Sequence, residues 1–416
     1  MKINKINCYK LAIYLIIILN IGVLNINSNK TFTWFYFSIA VTFLTFFIYL
    51  ISQHKYKTTN WYNFFIVSVF AVYGFQLIRL KQQFMPLLNV GDTIKRYDCI
   101  LFLLLVYPIQ EILKKDPNGK FLSTINYLGI INLLIRSIVW GMYNFKGINI
   151  APGYFSGEGG TAWTRELGSL VLSRMAGSFL DPYLLVFSLI LIFYGSLKKE
   201  KIAGFIELLF LFSYQIFISQ GRVQVLLSII LILFMFLLKS RVSNRKVIQY
   251  SILILLIFII FVFGYHNILA FFQTFSSNNL NYGGSTLARM NGFNYFFQEW
   301  KNNIWIGMGF LPDQIKLSYD TYYLADYGTY INIFEYGLLG GLILVIPLIY
   351  GISEAISNIK LKVQENKIIL LQIGLTFYIV LGSPLYNYYW MDNITLLVLY
   401  FGLTLFSINS KKNEQN

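Results

Sequence analysis

Charge is scarce in this sequence. Only 12% of its 416 residues are Asp, Glu, Lys or Arg, while 56% are hydrophobic and 18% aromatic. That is too little charge to cover a soluble globule of this length. Histidine and cysteine are scarcer still, at two each. No H-E-x-x-H, no cysteine cluster, no Walker loop and no G-x-G-x-x-G occurs, which sets aside zinc hydrolases and the familiar nucleotide folds. A Ser-His-Asp triad would have to draw on His266 at a helix end, a poor place for one. No acidic D-x-D metal motif stands in the segments between apolar runs, so no metal and no cofactor is expected. Cys8 and Cys99 fall at opposite faces of the topology below, out of reach of a disulfide.

What the chain has is apolar length. Runs of about 17 to 23 residues recur throughout, each enough to cross a hydrocarbon core of roughly 30 Å as a helix. Twelve are expected, near 11–27, 32–51, 61–79, 97–113, 121–143, 179–197, 202–218, 223–238, 247–267, 329–351, 368–385 and 391–407. The fold class is therefore an all-α polytopic membrane protein, a single unit over residues 1–416 with no internal repeat. The first run lacks a small-residue cleavage site and reads as a retained helix.

The net charge of +15 is accounted for by topology, not by nucleic acid, since no soluble basic patch with interleaved aromatics is present. With both termini in the cytoplasm, the short even-numbered loops and the termini hold 20 of the 33 Lys and Arg residues, as the positive-inside rule requires. Two outer loops are long, 144–178 and 268–328, the second lying between the ninth and tenth runs. Loops of that length are usually functional. In the second, Met290, Phe293, Phe297 and Trp300 recur at helical spacing, so residues 286–301 are expected to form an amphipathic helix on the membrane surface, capped by Ser285.

Lysine dominates the inner loops, 18 to 2, whereas arginine approaches parity outside. Lysine suffices as a topology signal, but a planar guanidinium is preferred for bidentate grip on phosphate. Arg222 stands where one apolar run meets the next, in "SQGRVQVLLSI", and Arg289 falls in the first turn of the loop helix, where the helix dipole disfavours a cation without an anion to bind. Arg165 and Arg174 both precede the sixth run, and Arg136 lies inside the fifth, where it is expected to face a wet cavity. Snorkelling to the interface is the plain alternative for each. Asp326 is the polar residue at the mouth of the tenth run, as N-cap or as acid–base group. Glu335, nine residues on, points to the opposite side of a regular helix. Gly337, Gly340 and Gly341 leave a bare strip for helix packing or a lipid tail. Asp181-Pro182 reads as N-cap plus first helical proline, and Glu207 is a separate carboxylate in the inner half.

In this order, "SRMAGSFLDPYLL", "SQGRVQVLLSI", "RMNGFNYFFQEWKNNIWIGMGF" and "ADYGTYINIFEYGLLGG" resemble the bacterial O-antigen polymerase and ligase superfamily. The resemblance implies about twelve helices with a large extracytoplasmic loop between helices nine and ten, in the cytoplasmic membrane. It implies a glycosyltransferase that takes an undecaprenyl diphosphate-linked glycan as donor. Arg222, Arg289 and Asp326 match its catalytic positions, and Arg136, Arg165 and Arg174 become substrate contacts. Asp326 stands where ligases keep a histidine, which favours the polymerase branch; a ligase, or a flippase for lipid-linked oligosaccharide, is the alternative. The implied partners are lipid-linked oligosaccharide, membrane lipid and a chain-length regulator.

The charge pattern makes one direct prediction. Reporter fusions within 268–328 are expected to be active only as exported reporters, and a cytosolic signal there would invert the topology.

Overall fold

A computed structural model describes residues 5–21, 31–52, 60–79, 97–116, 119–151, 154–155, 164–167, 170–240, 283–311, 314–316, 321–360, 366–391 and 393–415. Among the described residues the regular structure is helical apart from two short antiparallel hairpins. The helices are α1 (Lys5–Asn20), α2 (Thr31–Ser52), α3 (Asn60–Ile78), α4 (Val106–Lys114, led in by a 3-10 stretch Asp98–Leu105) and α5 (Lys120–Lys146). Hairpin β1 (Thr164–Leu167) and β2 (Leu170–Ser173) follows, then α6 (Asp181–Tyr194), α7 (Lys198–Ser213, continued by a π turn Tyr214–Ser219) and α8 (Arg222–Ser240). Next come α9 (Gly283–Trp300), hairpin β3 (Gln314–Lys316) and β4 (Thr321–Tyr323), a 3-10 turn Leu324–Tyr327, α10 (Tyr330–Lys360), α11 (Lys367–Gly382) and α12 (Ile394–Gln415).

Six of the described helical stretches are long and apolar enough to cross a membrane: Thr33–Ser52, Trp61–Ile78, Lys120–Lys146, Lys198–Ser219, Arg222–Lys239 and Tyr330–Lys360. Asp181–Tyr194, Lys367–Gly382 and Ile394–Ser410 are shorter apolar helices. Helix is the expected outcome for such runs, because hydrocarbon offers the backbone no other hydrogen-bond partner. Helices overlap eleven of the twelve expected runs; the ninth, 247–267, lies outside the described residues.

The ends of the bundle differ in chemistry. At one end Lys5 donates to the Ser52 carbonyl (3.5 Å), Lys10 pairs with Asp116 (3.3 Å) and Lys367 pairs with Glu200 (3.2 Å). These contacts gather the start of α1, the end of α2 and the α4–α5, α6–α7 and α10–α11 junctions. Cys8 lies near this end and Cys99 toward the other, and both are free thiols. At the opposite end Asn20 reaches Thr395 (3.2 Å), Thr329 N–H donates to Ser383 O (2.8 Å) and Met175 N–H to Ile218 O (3.1 Å). All six described arginines, Arg79, Arg136, Arg165, Arg174, Arg222 and Arg289, belong to the half nearer this second end, whereas the described cations at the first end are lysines.

Between the ends, one apolar core runs through the bundle, with Tyr62, Phe65, Phe102, Phe121, Tyr183, Tyr400 and Phe401 fully enclosed. A second, smaller core belongs to the long loop. Phe296 of α9 packs with Met308, Leu311, Tyr322, Leu324 and Tyr327 against Ile331 and Phe334 of α10. Gly292 makes this possible, since a side chain there would overlap the Tyr327 hydroxyl.

α10 is not regular. Gly337 adopts φ 69° and ψ −174°, a region open essentially to glycine alone, and the helix breaks there. Residues 304–309 cross the break and take up the backbone groups it frees. Met308 N–H donates to Phe334 O (2.8 Å) and Gly309 N–H to Glu335 O (3.0 Å), while Leu338 N–H donates to Ile304 O (2.8 Å) and Leu339 N–H to Trp305 O (3.2 Å). Gln76 and Arg79 of the α3 end complete the joint, donating to Ile306 O at 2.8 and 2.9 Å. Gly337 therefore serves a backbone contact, not the open strip expected from "GLLGG". Gly340 and Gly341 do keep a packing role, against Val72 and Ile333.

Three further expectations are corrected. The loop helix begins at Gly283, so Ser285 lies inside it and Arg289 falls in its second turn, beyond the strongest dipole effect. Its enclosed apolar residue is Phe296, while Met290 (56% exposed) and Phe297 (37%) stay on its surface, in keeping with an apolar face turned outward. Asp181 turns back to accept from Ser178 N–H (2.8 Å) and does not cap α6.

The break makes a stability prediction. Gly337→Ala puts a β-carbon against Trp305 carbonyl atoms in a glycine-only conformation. It should cost roughly 1–3 kcal/mol from the backbone alone. Thermal unfolding of the detergent-solubilised chain should show a lower midpoint, and an unchanged midpoint would mean that α10 runs straight.

Candidate functional site

The site is built from a turn. α7 ends in a π turn, a feature common at functional positions, whose last carbonyls are closed by Gly221 N–H donating to Gln215 O (3.2 Å). Gln220 then takes a left-handed conformation (φ 50°), Gly221 follows, and α8 starts at once with Arg222. Two residues thus reverse the chain and leave a guanidinium at the mouth of α8.

A second strand of chain is pinned beside that turn. Ser173, the last residue of β2, exchanges hydrogen bonds with the Asn144 side chain (2.7 and 3.3 Å), and its carbonyl accepts from Trp140 Nε1 (2.6 Å). Met175 N–H then bonds Ile218 O (3.1 Å), and the Tyr214 hydroxyl donates to Ala176 O (3.1 Å). Arg174 is held between these fixed points, next to the π turn.

The α11–α12 turn supplies a third wall. Asn387 and Asn332 exchange amide hydrogen bonds (3.0 and 3.1 Å), and Thr329 Oγ1 donates to Tyr386 O (3.3 Å), so the turn is docked on the start of α10. α9 brings Arg289 over the top, exposed on the helix surface.

Together these segments enclose a cavity of about 400 Å³, within the range of small-molecule sites. Arg174, Arg222 and Arg289 line it with Gln220, Gln224, Tyr386, Asn387, Trp390 and Asn393. Its described lining holds three guanidinium groups and no carboxylate. Such a lining favours a multiply charged anion that presents several oxygens, and the amides and rings around it suit hydroxyl-bearing, flat-faced groups.

Of the residues singled out in the sequence, Arg222, Arg289 and Arg174 meet here, although 115 positions separate the outermost two. The other three do not join them in the described structure. Arg165 lies on β1, its backbone paired across from Leu172, and its side chain is outside the described residues. Asp326 sits on the 3-10 turn Leu324–Tyr327 and not on α10, and its side chain is likewise outside them. Arg136 corrects the expectation of a wet face: it is only 4% exposed, 4.0 Å from Asp181 and stacked over Tyr214 at 5.2 Å. The pair lies below the cavity floor, because Asp181 also holds the Ser178 backbone beneath Gly177.

Two carboxylates have other partners. Glu335 is fully enclosed and accepts from the Tyr97 hydroxyl, while Glu207 accepts from Asn126 (3.2 Å) and Ser188 (3.5 Å) in the other half of the bundle. Gln224, Tyr386, Asn387 and Trp390 were not singled out in the sequence. Their signal was the polar and aromatic interruption "LYNYYWMDN" between the last two apolar runs, and an amide two residues beyond Arg222. No protein-family model and no curated protein matches the chain.

The buried ion pair yields a prediction. Arg136→Met leaves Asp181 charged and enclosed, which should cost about 3–5 kcal/mol. Adding Asp181→Asn should restore much of that loss in thermal melts. Equal melts for the single and double variants would show that the two side chains do not interact.

Proposed function

We propose that this chain is a glycosyltransferase of the cytoplasmic membrane that joins lipid-linked oligosaccharide repeat units into a polymer. The observation that carries the reading is the meeting of Arg174, Arg222 and Arg289, from three distant segments, around one cavity at a single end of an apolar bundle. In this reading about twelve helices span the bilayer. The lysine-bearing end faces the cytosol with both termini, and the arginine-bearing end faces outward. The exposed stripe Leu287, Met290 and Phe297 on α9, with Trp305 beyond it, would rest on the outer leaflet.

The donor is a glycan on undecaprenyl diphosphate. As the bond from the anomeric carbon to the phosphate oxygen breaks, negative charge grows on the departing diphosphate. Arg222 and Arg289 would bind that charge, and fixed cations in a partly dry site lower such barriers by several kcal/mol. Arg174 contacts the same diphosphate from the pinned β2 end. The acceptor hydroxyl attacks the anomeric carbon from the opposite face, and its proton passes to Asp326 as general base, so the linkage inverts. The donor bond supplies the free energy, and no nucleotide is consumed. Trp390 offers an apolar face to a sugar ring. Arg136 has a supporting part, holding Asp181 and the turn that follows Arg174, and Arg165 stays a candidate substrate contact on β1. A chain-length regulator would act on this assembly from outside the site.

One observation speaks for the transporter alternative: α10 is broken, as helices that line transport paths often are. Here, however, the groups freed by the break are taken by residues 304–309 and are not left facing a path. A ligase differs in its acceptor alone, and the deletion phenotype separates them. Loss of a polymerase leaves single lipid-linked units, and loss of a ligase leaves long ones.

The reading is tested by glycan length in a deletion strain carrying inserted variants. Arg222→Ala and Arg289→Ala should each abolish long polymer, and Arg174→Ala should shorten it. Arg289→Lys should also fail if a bidentate grip is needed. Long polymer from both alanine variants would rule the site out.

A further inference from the structure

Gln224 occupies a slot made by two glycines. A β-carbon at Gly221 would lie 2.6 Å from its Oε1, and one at Gly177 would overlap its Nε2. Neither position tolerates a side chain while the amide stays where it is. The amide is also oriented. Ser219 Oγ donates to Gln224 Oε1 at 3.0 Å, which turns the carbonyl toward the π turn and the NH2 group the other way. On that other side the Tyr386 phenol is a neighbour of the Gln224 amide in the cavity wall. An amide NH2 only donates, so in a hydrogen bond between the two the phenol oxygen would be the acceptor. Its own O–H would then be left to point onward, and Tyr386 lines the cavity with Arg174 and Arg289 near enough to act on it electrostatically.

Burial, followed by the nearby Asp181 charge, pushes the Tyr386 phenol up to about 12, so it keeps its proton at neutral pH. It is a neutral donor of fixed direction among cations.

We infer that Tyr386 is a ligand-binding residue that donates its hydroxyl hydrogen to a phosphate oxygen of a diphosphate group in the three-arginine cavity, and that Gln224 is the positioning residue that aims it. The inference rests on the proposed function only in taking a diphosphate as the anion. It adds directionality that arginines on flexible stems lack. No proton is transferred; the hydroxyl remains a phenol throughout.

The test uses inorganic pyrophosphate and the full chain in detergent, with binding followed by titration calorimetry. Tyr386→Phe keeps the ring and removes one hydroxyl, and should weaken pyrophosphate binding about tenfold or more, the usual scale of a hydrogen bond to a charged group. Gln224→Leu should weaken it less, by roughly threefold to tenfold, because the phenol stays but is no longer aimed. The double variant should bind no worse than Tyr386→Phe alone. A residue that merely fills space would not give that non-additivity.

If Tyr386→Phe binds like the parent while Arg222→Ala does not bind, the cavity holds a diphosphate and this inference is wrong. If the losses of the two single variants multiply in the double variant, Gln224 does not act through Tyr386. If the parent chain itself does not bind pyrophosphate, the diphosphate reading of the cavity falls, and the role of Tyr386 with it.

Discussion

Four backbone hydrogen bonds across the break in α10 hold the architecture of the site together. A helix interrupted inside an apolar bundle exposes N–H and C=O groups that hydrocarbon cannot satisfy, at several kcal/mol each. Residues 304–309 satisfy them, and in doing so they fasten the long loop to the bundle. With that anchor fixed, the small core around Phe296 and Tyr327 can seat α9, and α9 carries Arg289. The cation over the cavity is thus positioned by a defect in a neighbouring helix. Tyr97 and Glu335, buried beside the joint with Leu311, tie it to the 3-10 stretch that opens α4.

Much of this was legible in the sequence, for a physical reason. Apolar length marks helices because lipid and core alike forbid an unpaired backbone, so the runs at 32–51, 121–143 and 223–238 lie on α2, α5 and α8. Arg222 stood out because a charge at the join of two apolar runs must sit at a boundary. The break at Gly337 was not legible. Periodicity reports only whether an apolar stretch is compatible with a helix, and "GLLGG" fits a packing strip as well as a broken one. Arg136 illustrates the same limit, since its partner Asp181 lies 45 positions away and had a sufficient local explanation as a cap. The wall formed by Tyr386 and Trp390 was hidden because its residues are ordinary for a membrane interface. The reciprocal amide pair of Asn332 and Asn387, with Thr329 on Tyr386 O, brings that turn to the cavity.

The arginines also divide by role. Arg79 and Arg136 are spent on the protein, one on carbonyls of the joint and one on Asp181. Arg174, Arg222 and Arg289 face the cavity. Lysine would serve poorly in place of Arg79, whose guanidinium spreads its donors over the Gln76 side chain and the Ile306 and Gly307 carbonyls. Enrichment of arginine at this end therefore reflects support of the fold and, in the proposed function, grip on an anion.

The reversal at Gln220 and Gly221 has a consequence for how this scaffold can vary. Helix geometry advances about 100° per residue, so one residue added to that turn would swing the guanidinium of Arg222 around α8 and carry the slot of Gln224 with it. The long connections on the same end are under no such constraint, because their cargo is fixed by contacts made afterwards. Natural drift in length should thus accumulate in those connections and spare this two-residue bend, which behaves less as a linker than as a gauge that sets the phase of everything beyond it.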